Sequence, residues 1–161
     1  MEDNIAGNQS VLVIDDEPAM LQLLKRVFES EGYQVRLAAD GVYGLLMLRE
    51  AEPALVLLDI VMPGPDGYEV VARIRQVSNV PIIMVTAKCE EESVAKALEI
   101  GADGYVRKPF SPAELVAQVR AKLRRAALSV SGDQTAKAPL YLGEEAPAVN
   151  LQTGGNDAET T

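Results

Sequence analysis

Four short apolar runs each end on a residue that chemistry can use. Val11–Ile14 stops at Asp15 and Asp16, and Ala54–Leu58 stops at Asp59. Pro81–Val85 stops at Thr86, and the weaker run Gly104–Arg107 stops at Lys108 and Pro109. If the runs are neighbouring parallel strands, three carboxylates, a hydroxyl and an ammonium converge on one sheet edge. Open α/β sheets place their ligand sites at that carboxyl edge. Three carboxylates at close range cannot all stay ionised without compensation. A hard cation resolves the conflict, and an oxygen-only donor set suits Mg²⁺. A backbone carbonyl just after Asp59, such as that of Val61, could complete the set. With Lys108 and Thr86 opposite, the parts amount to a clamp for a phosphoryl group. An aspartate can itself accept that group as an acyl phosphate. Taken singly, Asp15 or Asp16 could cap the next helix, Thr86 could be a structural strand-end residue, and Lys108 a solvated lysine. Their joint placement at successive strand ends favours the site.

The elements that must position these groups alternate. Met20, Leu21, Leu23, Leu24, Val27 and Phe28 recur at helical spacing within Glu17–Glu31, with Pro18 in the first turn and Gly32 as the stop. Tyr33–Ala38 alternates as an edge strand should. Asp40 caps a second helix to about Glu50, and Ala54–Leu58 reads as a strand buried on both faces. A turn-rich loop, Met62–Gly67, leads to a third helix from Gly67 to about Val77. A fourth helix lies near 90–100 with Gly101 as its stop, and a fifth strand spans 104–107. Ser111 caps a last helix with Pro112 at its first position and Glu114 at its third. Five βα units predict an α/β fold with a parallel sheet and helices on both faces. After Arg125 the composition turns to scattered Ser, Gly, Thr, Pro and acidic residues. We read 127–161 as a linker or disordered tail, 9–126 as the folded domain and 1–8 as an N-terminal extension.

Composition narrows the function further. The 161 residues are 48% hydrophobic and 24% charged, which is globular. The net charge is −9, of which the stretch 127–161 carries −4 and residues 1–126 carry −5. This argues against nucleic-acid binding by this chain itself, which needs clustered cations. The one basic cluster, Lys122, Arg124 and Arg125, reads as a helix end whose charges complement the dipole. No histidine is present, which removes histidine-based triads and the commonest metal ligand. Any phosphohistidine must come from a partner. Cys89 is alone, no apolar run approaches the ~20 residues of a membrane span, and the N-terminus is acidic. A cytoplasmic location without membrane contact is the expectation.

Four linked motifs then resemble the receiver domain of bacterial two-component response regulators. They are Val11–Glu17, Asp59–Gly67, Pro81–Ala87 and Gly101–Phe110. The resemblance covers about 9–125 and is closest to the OmpR/PhoB type. It implies a flavodoxin-like sheet of five parallel strands in the order 2-1-3-4-5. It implies that Asp59 is the phosphoacceptor, fed by a sensor histidine kinase or a histidine phosphotransfer protein. Asp16 and Asp59 would bind Mg²⁺ directly, Asp15 largely through water, and Val61 through its carbonyl. Lys108 would meet the phosphoryl oxygens, and the Lys108–Pro109 bond would be cis. Thr86 would swing to the phosphoryl group, and Tyr105 would turn inward, changing the surface of residues 88–125. Val61 and Lys88 occupy positions that influence access of the hydrolytic water in this family.

The resemblance also carries departures. Dimers of this subfamily use salt bridges on the fourth helix, fifth strand and fifth helix. Glu114 and Arg120 are retained, but Val94 stands where a basic partner is usual, Gly104 where Asp is common, and Gln118 where Arg is common. A homodimer through 88–125 therefore has an incomplete salt-bridge pattern. No winged helix fits in 127–161, so the sequence is either part of a longer transcription regulator or a stand-alone receiver with a tail. Leu140–Leu151 is compatible with the first strands of an output domain. A Mg²⁺-dependent aspartyl phosphatase is the rival enzyme reading, but it would carry a second Asp where Val61 stands. A receiver used only for docking would lack one of the five groups.

Overall fold

The computed structural model describes residues 9–131. Five strands and five helices alternate: β1 (Ser10–Ile14), α1 (Pro18–Ser30), β2 (Gln34–Ala38), α2 (Gly41–Glu50), β3 (Leu55–Leu58), α3 (Gly67–Arg75), β4 (Ile82–Thr86), α4 (Glu91–Ile100), β5 (Gly104–Arg107) and α5 (Pro112–Ser131). All neighbouring strands pair in parallel, in the order β2-β1-β3-β4-β5. This is the α/β fold and the strand order expected from the sequence.

Alternation along the strands divides the core into two layers. Val11 and Val13, Leu55 and Leu57, and Ile83 and Val85 face α1 and α5, where Leu24, Phe28, Leu115 and Val119 cover them. Leu12 and Ile14, Val56 and Leu58, and Ile82 and Met84 face Leu48, Val70, Val71, Ile74 and Ala97 of α2, α3 and α4. The central strands β3 and β4 are buried throughout, whereas the edge strand β2 is mostly half-buried. Each fully buried Leu, Ile or Phe contributes about 1.5–3 kcal/mol, so the two layers hold the strand register.

The helix signals behave as local chemistry dictates. The Asp40 carboxylate accepts from the Tyr43 amide at 2.8 Å and starts α2, and Asp66 accepts from Glu69 at 3.0 Å to start α3. The Ser111 hydroxyl accepts from the Glu114 amide at 3.3 Å. Gly101 follows α4 with φ at +133°, a conformation open to glycine. Most boundaries shift by one residue from the sequence reading, and three of the differences bear on the argument. Thr86 is the last residue of β4, and α3 ends at Arg75, where Arg75 turns its side chain inward. The fifth helix continues six residues past Arg125, to Ser131. Lys122, Arg124 and Arg125 are therefore not at a helix end, and the last turn of α5 holds no basic residue. The short apolar and alanine run 126–128 keeps helical propensity that the polar residues beyond it masked. The extension 1–8 and the tail beyond Ser131, including Leu140–Leu151, lie outside the described residues.

At the end of the sheet where the strands begin, Arg75 closes the connections around β4 and β5. Its guanidinium donates to the carbonyls of Gly101, Ser78 and Val80 at 3.0, 3.2 and 2.7 Å, and to the Asp103 carboxylate at 2.8 Å. Asp103 accepts in turn from the Ile82 amide at 2.8 Å. Arg75→Ala should lower stability by about 2–3 kcal/mol in urea unfolding, because several part-buried carbonyls lose their donor. Arg73→Ala, which breaks only the exposed pair with Glu69, should cost under about 0.5 kcal/mol. Equal losses for the two variants would refute this account.

Candidate functional site

The site lies where β1, β3, β4 and β5 end. Main-chain pairing sets the depth of each group: the Asp15 amide donates to Ala38, the Asp59 amide to Ile14 and the Lys108 amide to Thr86. Asp15, Asp59 and Thr86 are buried, and Asp16 is exposed. The Lys108 ammonium reaches back across β4 and donates to Asp15 Oδ2 at 2.9 Å and to Asp59 Oδ2 at 3.2 Å. Glu17 stands at 4.0 Å from the same nitrogen. Backbone donors hold the other carboxylate oxygens. The Glu17 amide reaches Asp15 Oδ1 at 3.0 Å, and the Val61 amide reaches Asp59 Oδ1 at 3.3 Å.

These bonds settle the capping question. The residue that starts α1 is Glu17, without a side-chain cap, so neither Asp15 nor Asp16 serves as the helix cap. Asp15 instead closes a tight turn onto Glu17 and keeps its second oxygen for Lys108. Carboxylate oxygens of Asp15, Asp16 and Asp59 lie within 4.8 Å of one another, so the three could hold a metal ion. An oxygen-only donor set of this charge fits a hard divalent cation.

The electrostatics show what such an ion would relieve. Burial raises the Asp15 carboxyl above the usual range, more than the Lys108 hydrogen bond and the Glu17 amide restore, and Asp59 adds to the rise. Burial pulls the Lys108 ammonium down, but the Asp15 and Asp59 carboxylates outweigh it, so the net shift is upward. One ammonium thus serves two buried carboxylates with a third beside them. Both shifts are upward for opposite reasons: at Asp15 burial outweighs the single cation, and at Lys108 two carboxylates outweigh burial.

Thr86 turns its hydroxyl to the loop, where it accepts from the Lys88 amide at 3.2 Å. Tyr105 lies along β5 with its hydroxyl donating to the Lys88 carbonyl. Burial, with smaller contributions from Tyr68, Cys89, Glu90 and Asp59, pushes its phenol up to about 12, which keeps it a neutral donor. The Val61 side chain is 60% exposed beside Asp59. The Lys108–Pro109 peptide is cis. Asp15, Asp16, Asp59, Val61, Thr86, Lys108 and Pro109 therefore lie at this edge, and Tyr105 is tied to the loop after Thr86.

A family model for the response regulator receiver domain matches residues 11–120. The chain belongs to the response regulator receiver family. The DNA-binding response regulator MtrA of Mycolicibacterium smegmatis is 48% identical over 117 residues, covering 73% of this chain and 51% of that protein. MtrA of Mycobacterium tuberculosis is 46% identical over 117 residues, with the same 73% and 51% coverage. The chain spans about half the length of the curated relatives it matches. Among solved structures, a CheY-like receiver domain protein from Methanospirillum hungatei superposes with a TM-score of 0.72 at 31% identity, covering 75% of this chain and 98% of that one. The receiver domain of a two-component response regulator is thus what these 161 residues contain, and the OmpR/PhoB likeness agrees with the MtrA matches. Among the described residues, no helix of this receiver is long and apolar enough to cross a membrane.

The sequence reading missed Gly67 as a site residue. The Gly67 amide donates to the Ile60 carbonyl at 2.8 Å, folding the loop back on Asp59. A Cβ at Gly67 would lie 2.4 Å from the Asp59 carbonyl oxygen and 2.6 Å from the Ile60 Cα. Both are backbone atoms and cannot turn aside. The density of Pro and Gly in Met62–Gly67 signalled a turn, but which glycine lies against Asp59 depends on the fold. Gly67→Ala should cost about 2–3 kcal/mol and shift the Asp59 and Val61 amide resonances. A Gly64→Ala control meets nothing within 4 Å but strains a backbone at φ +76°, so it should cost about 1–2 kcal/mol while leaving those resonances in place. Unmoved Asp59 and Val61 resonances in Gly67→Ala would rule out this contact.

Proposed function

We propose that Asp59 accepts a phosphoryl group from the phosphohistidine of a histidine kinase or histidine phosphotransfer protein. A carboxylate oxygen of Asp59 attacks phosphorus, the P–N bond breaks as the O–P bond forms, and the imidazole leaves with the bonding pair. The observation that carries the reading is the Lys108 ammonium bonded to both Asp15 and Asp59, with Asp16 beside them. Mg²⁺ bound by Asp15, Asp16, Asp59 and the Val61 carbonyl would neutralise the phosphoryl oxygens. Asp15 and Asp16 hold negative charge where that ion is needed. Lys108 leaves its bond with Asp59 and meets a phosphoryl oxygen instead. Thr86 exchanges the Lys88 amide for the same group. Tyr105 gives up the Lys88 carbonyl and turns into the space behind Thr86. Loss of those two bonds to residue 88 frees the lead-in to α4, which is a charge-driven switch of the surface 88–125.

The domain acts as a cytoplasmic signalling module and turns over no external phosphoester. A phosphatase of the aspartyl type needs a second acid two residues after its nucleophile, and here Val61 occupies that place. The matched relatives are named DNA-binding response regulators, so the switch serves transcription through an output unit of that kind. A homodimer through 88–125 would have to form without the usual charge set. Arg120 pairs with Glu31 of α1 at 2.6 Å and Asp103 with Arg75 at 2.8 Å, both within the chain. That observation favours the second reading, a receiver that works by contact with another protein.

Incubation with acetyl phosphate and Mg²⁺ should add one phosphoryl group per chain by intact mass, and Asp59→Asn or chelation of the metal should abolish it. Sustained turnover of a phosphoester would replace this reading with the phosphatase. An unmodified parent protein would replace it with a docking module. An apolar Val61 offers no group to orient the hydrolytic water. Val61→Asn should therefore shorten the lifetime of the phosphorylated form several-fold, and a longer-lived variant would refute that role.

A further inference from the structure

Two tyrosines meet the start of α4 from different elements. Tyr105 of β5 holds the carbonyl of Lys88 in the lead-in loop. Tyr68, the second residue of α3, donates its hydroxyl to the carbonyl of Ser93 at 3.4 Å. Lys96, one turn further along α4, places its ammonium 4.2 Å from the centroid of the Tyr68 ring. That distance is well inside the range for a cation over an aromatic face. The hydrogen bond is long, so the ring and the ammonium provide more of the hold than the hydroxyl. The rest of the ring packs on the α2–α3–α4 core layer. Ser93 is itself buried, and its hydroxyl donates to the Glu90 carboxylate at 2.9 Å, so the first turn of α4 is internally tied.

The other end of this connection is the site. Tyr68 follows Gly67, whose backbone lies against the carbonyl of Asp59 and is bonded to Ile60. There is no slack between them: a movement of the Asp59 loop moves the Tyr68 backbone by the next peptide bond. This path reaches α4 without passing through Thr86 or Tyr105. The exposed pair Arg73–Glu69 on the same helix points elsewhere and makes no bond to α4.

We propose that Tyr68 is a positioning residue that holds α4 in its resting place and forms a second mechanical connection from Asp59 to the output face. The inference rests on Asp59 as the phosphoacceptor, and its first test is independent of that. When the Asp59 loop rearranges, Tyr68 withdraws from Ser93 and Lys96 while Tyr105 withdraws from Lys88. The two releases free α4 at its lead-in and at its first turns together.

Hydrogen exchange on the unphosphorylated protein reads the hold directly. Tyr68→Leu removes the ring, the hydroxyl and the Lys96 contact. It should speed exchange of the 91–100 amides by about five- to tenfold relative to those of α2, which shares the core layer of Tyr68. Tyr68→Phe keeps the ring under Lys96 and should change them by less than about threefold. Lys96→Gln should fall between the two. An ordinary packing role in this layer would raise exchange in α2 and α4 together, and that outcome, or unchanged α4 exchange, would overturn the proposal. With acetyl phosphate and Mg²⁺, Tyr68→Leu should take up phosphoryl about two- to fivefold faster, because α4 no longer resists the rearrangement. Faster α4 exchange with unchanged or slower uptake would break the connection to Asp59. Failure of the parent protein to take up phosphoryl at all would count against the Asp59 reading and leave the exchange test to decide the hold.

Discussion

Lys108 stands at the end of β5, yet the carboxylates it bonds stand at the ends of β1 and β3, on the far side of β4. In sequence the partners are 93 and 49 residues away. Bringing them within 3.2 Å requires every crossover between them to be in place and every central strand to be in register. The contact is also an electrostatic necessity. Two buried carboxylates with a third beside them would repel one another without a cation. The same contact therefore closes the sheet edge, lowers the cost of burying Asp15 and Asp59, and prepares an ammonium for incoming negative charge.

Close approach at two glycines supplies the second constraint. Gly67 lets the loop after Asp59 fold directly onto the Asp59 carbonyl, and Gly44 lets α2 settle on the side chain of Ile14, the residue before Asp15. A side chain at Gly67 would meet backbone, which cannot turn aside, whereas one at Gly44 would press on the Ile14 side chain. Asp59 is thus set by main-chain geometry, and the amides of Glu17 and Val61, donating to Asp15 and Asp59, fix the rotation that remains. Positioning by main chain is stiffer than positioning by surface loops, which suits a site that must sense one added group.

Local signals made most of this legible in the sequence. Apolar runs, capping residues and glycine stops give each strand and helix, because those preferences depend on a few neighbouring residues. The five site groups were legible because each ends or follows a strand, and parallel strands share one functional edge. Long-range facts were not legible. Nothing near Arg75 in sequence announces that its guanidinium will bind Gly101, Val80 and Asp103. Nothing near Tyr68 announces Lys96 or Ser93. The length of α5 was misjudged for a different reason: alanines and a leucine after Arg125 sustain a helix without an amphipathic stripe to reveal it.

The output face follows a different logic from the site. Gly104 replaces a side chain that would stand 3.3 Å from Lys122 Cε, so the lysine stem lies over the strand where an aspartate is common in the subfamily. Burial lowers the Lys122 ammonium's affinity for its proton, and Asp103 offsets part of that. Asp103 is already engaged by Arg75, and Arg120 by Glu31. The face has thus turned its charges inward, onto α1, α3 and β5, where a dimer seam would turn them outward. Each exposed pair is worth at most about 1 kcal/mol, so a partner could displace them. It would first have to replace the internal bonds that now hold this face together, among them those of Tyr68 and Tyr105 to the first turn and lead-in of α4, whose Ala97, Leu98 and Ile100 stay packed on the core.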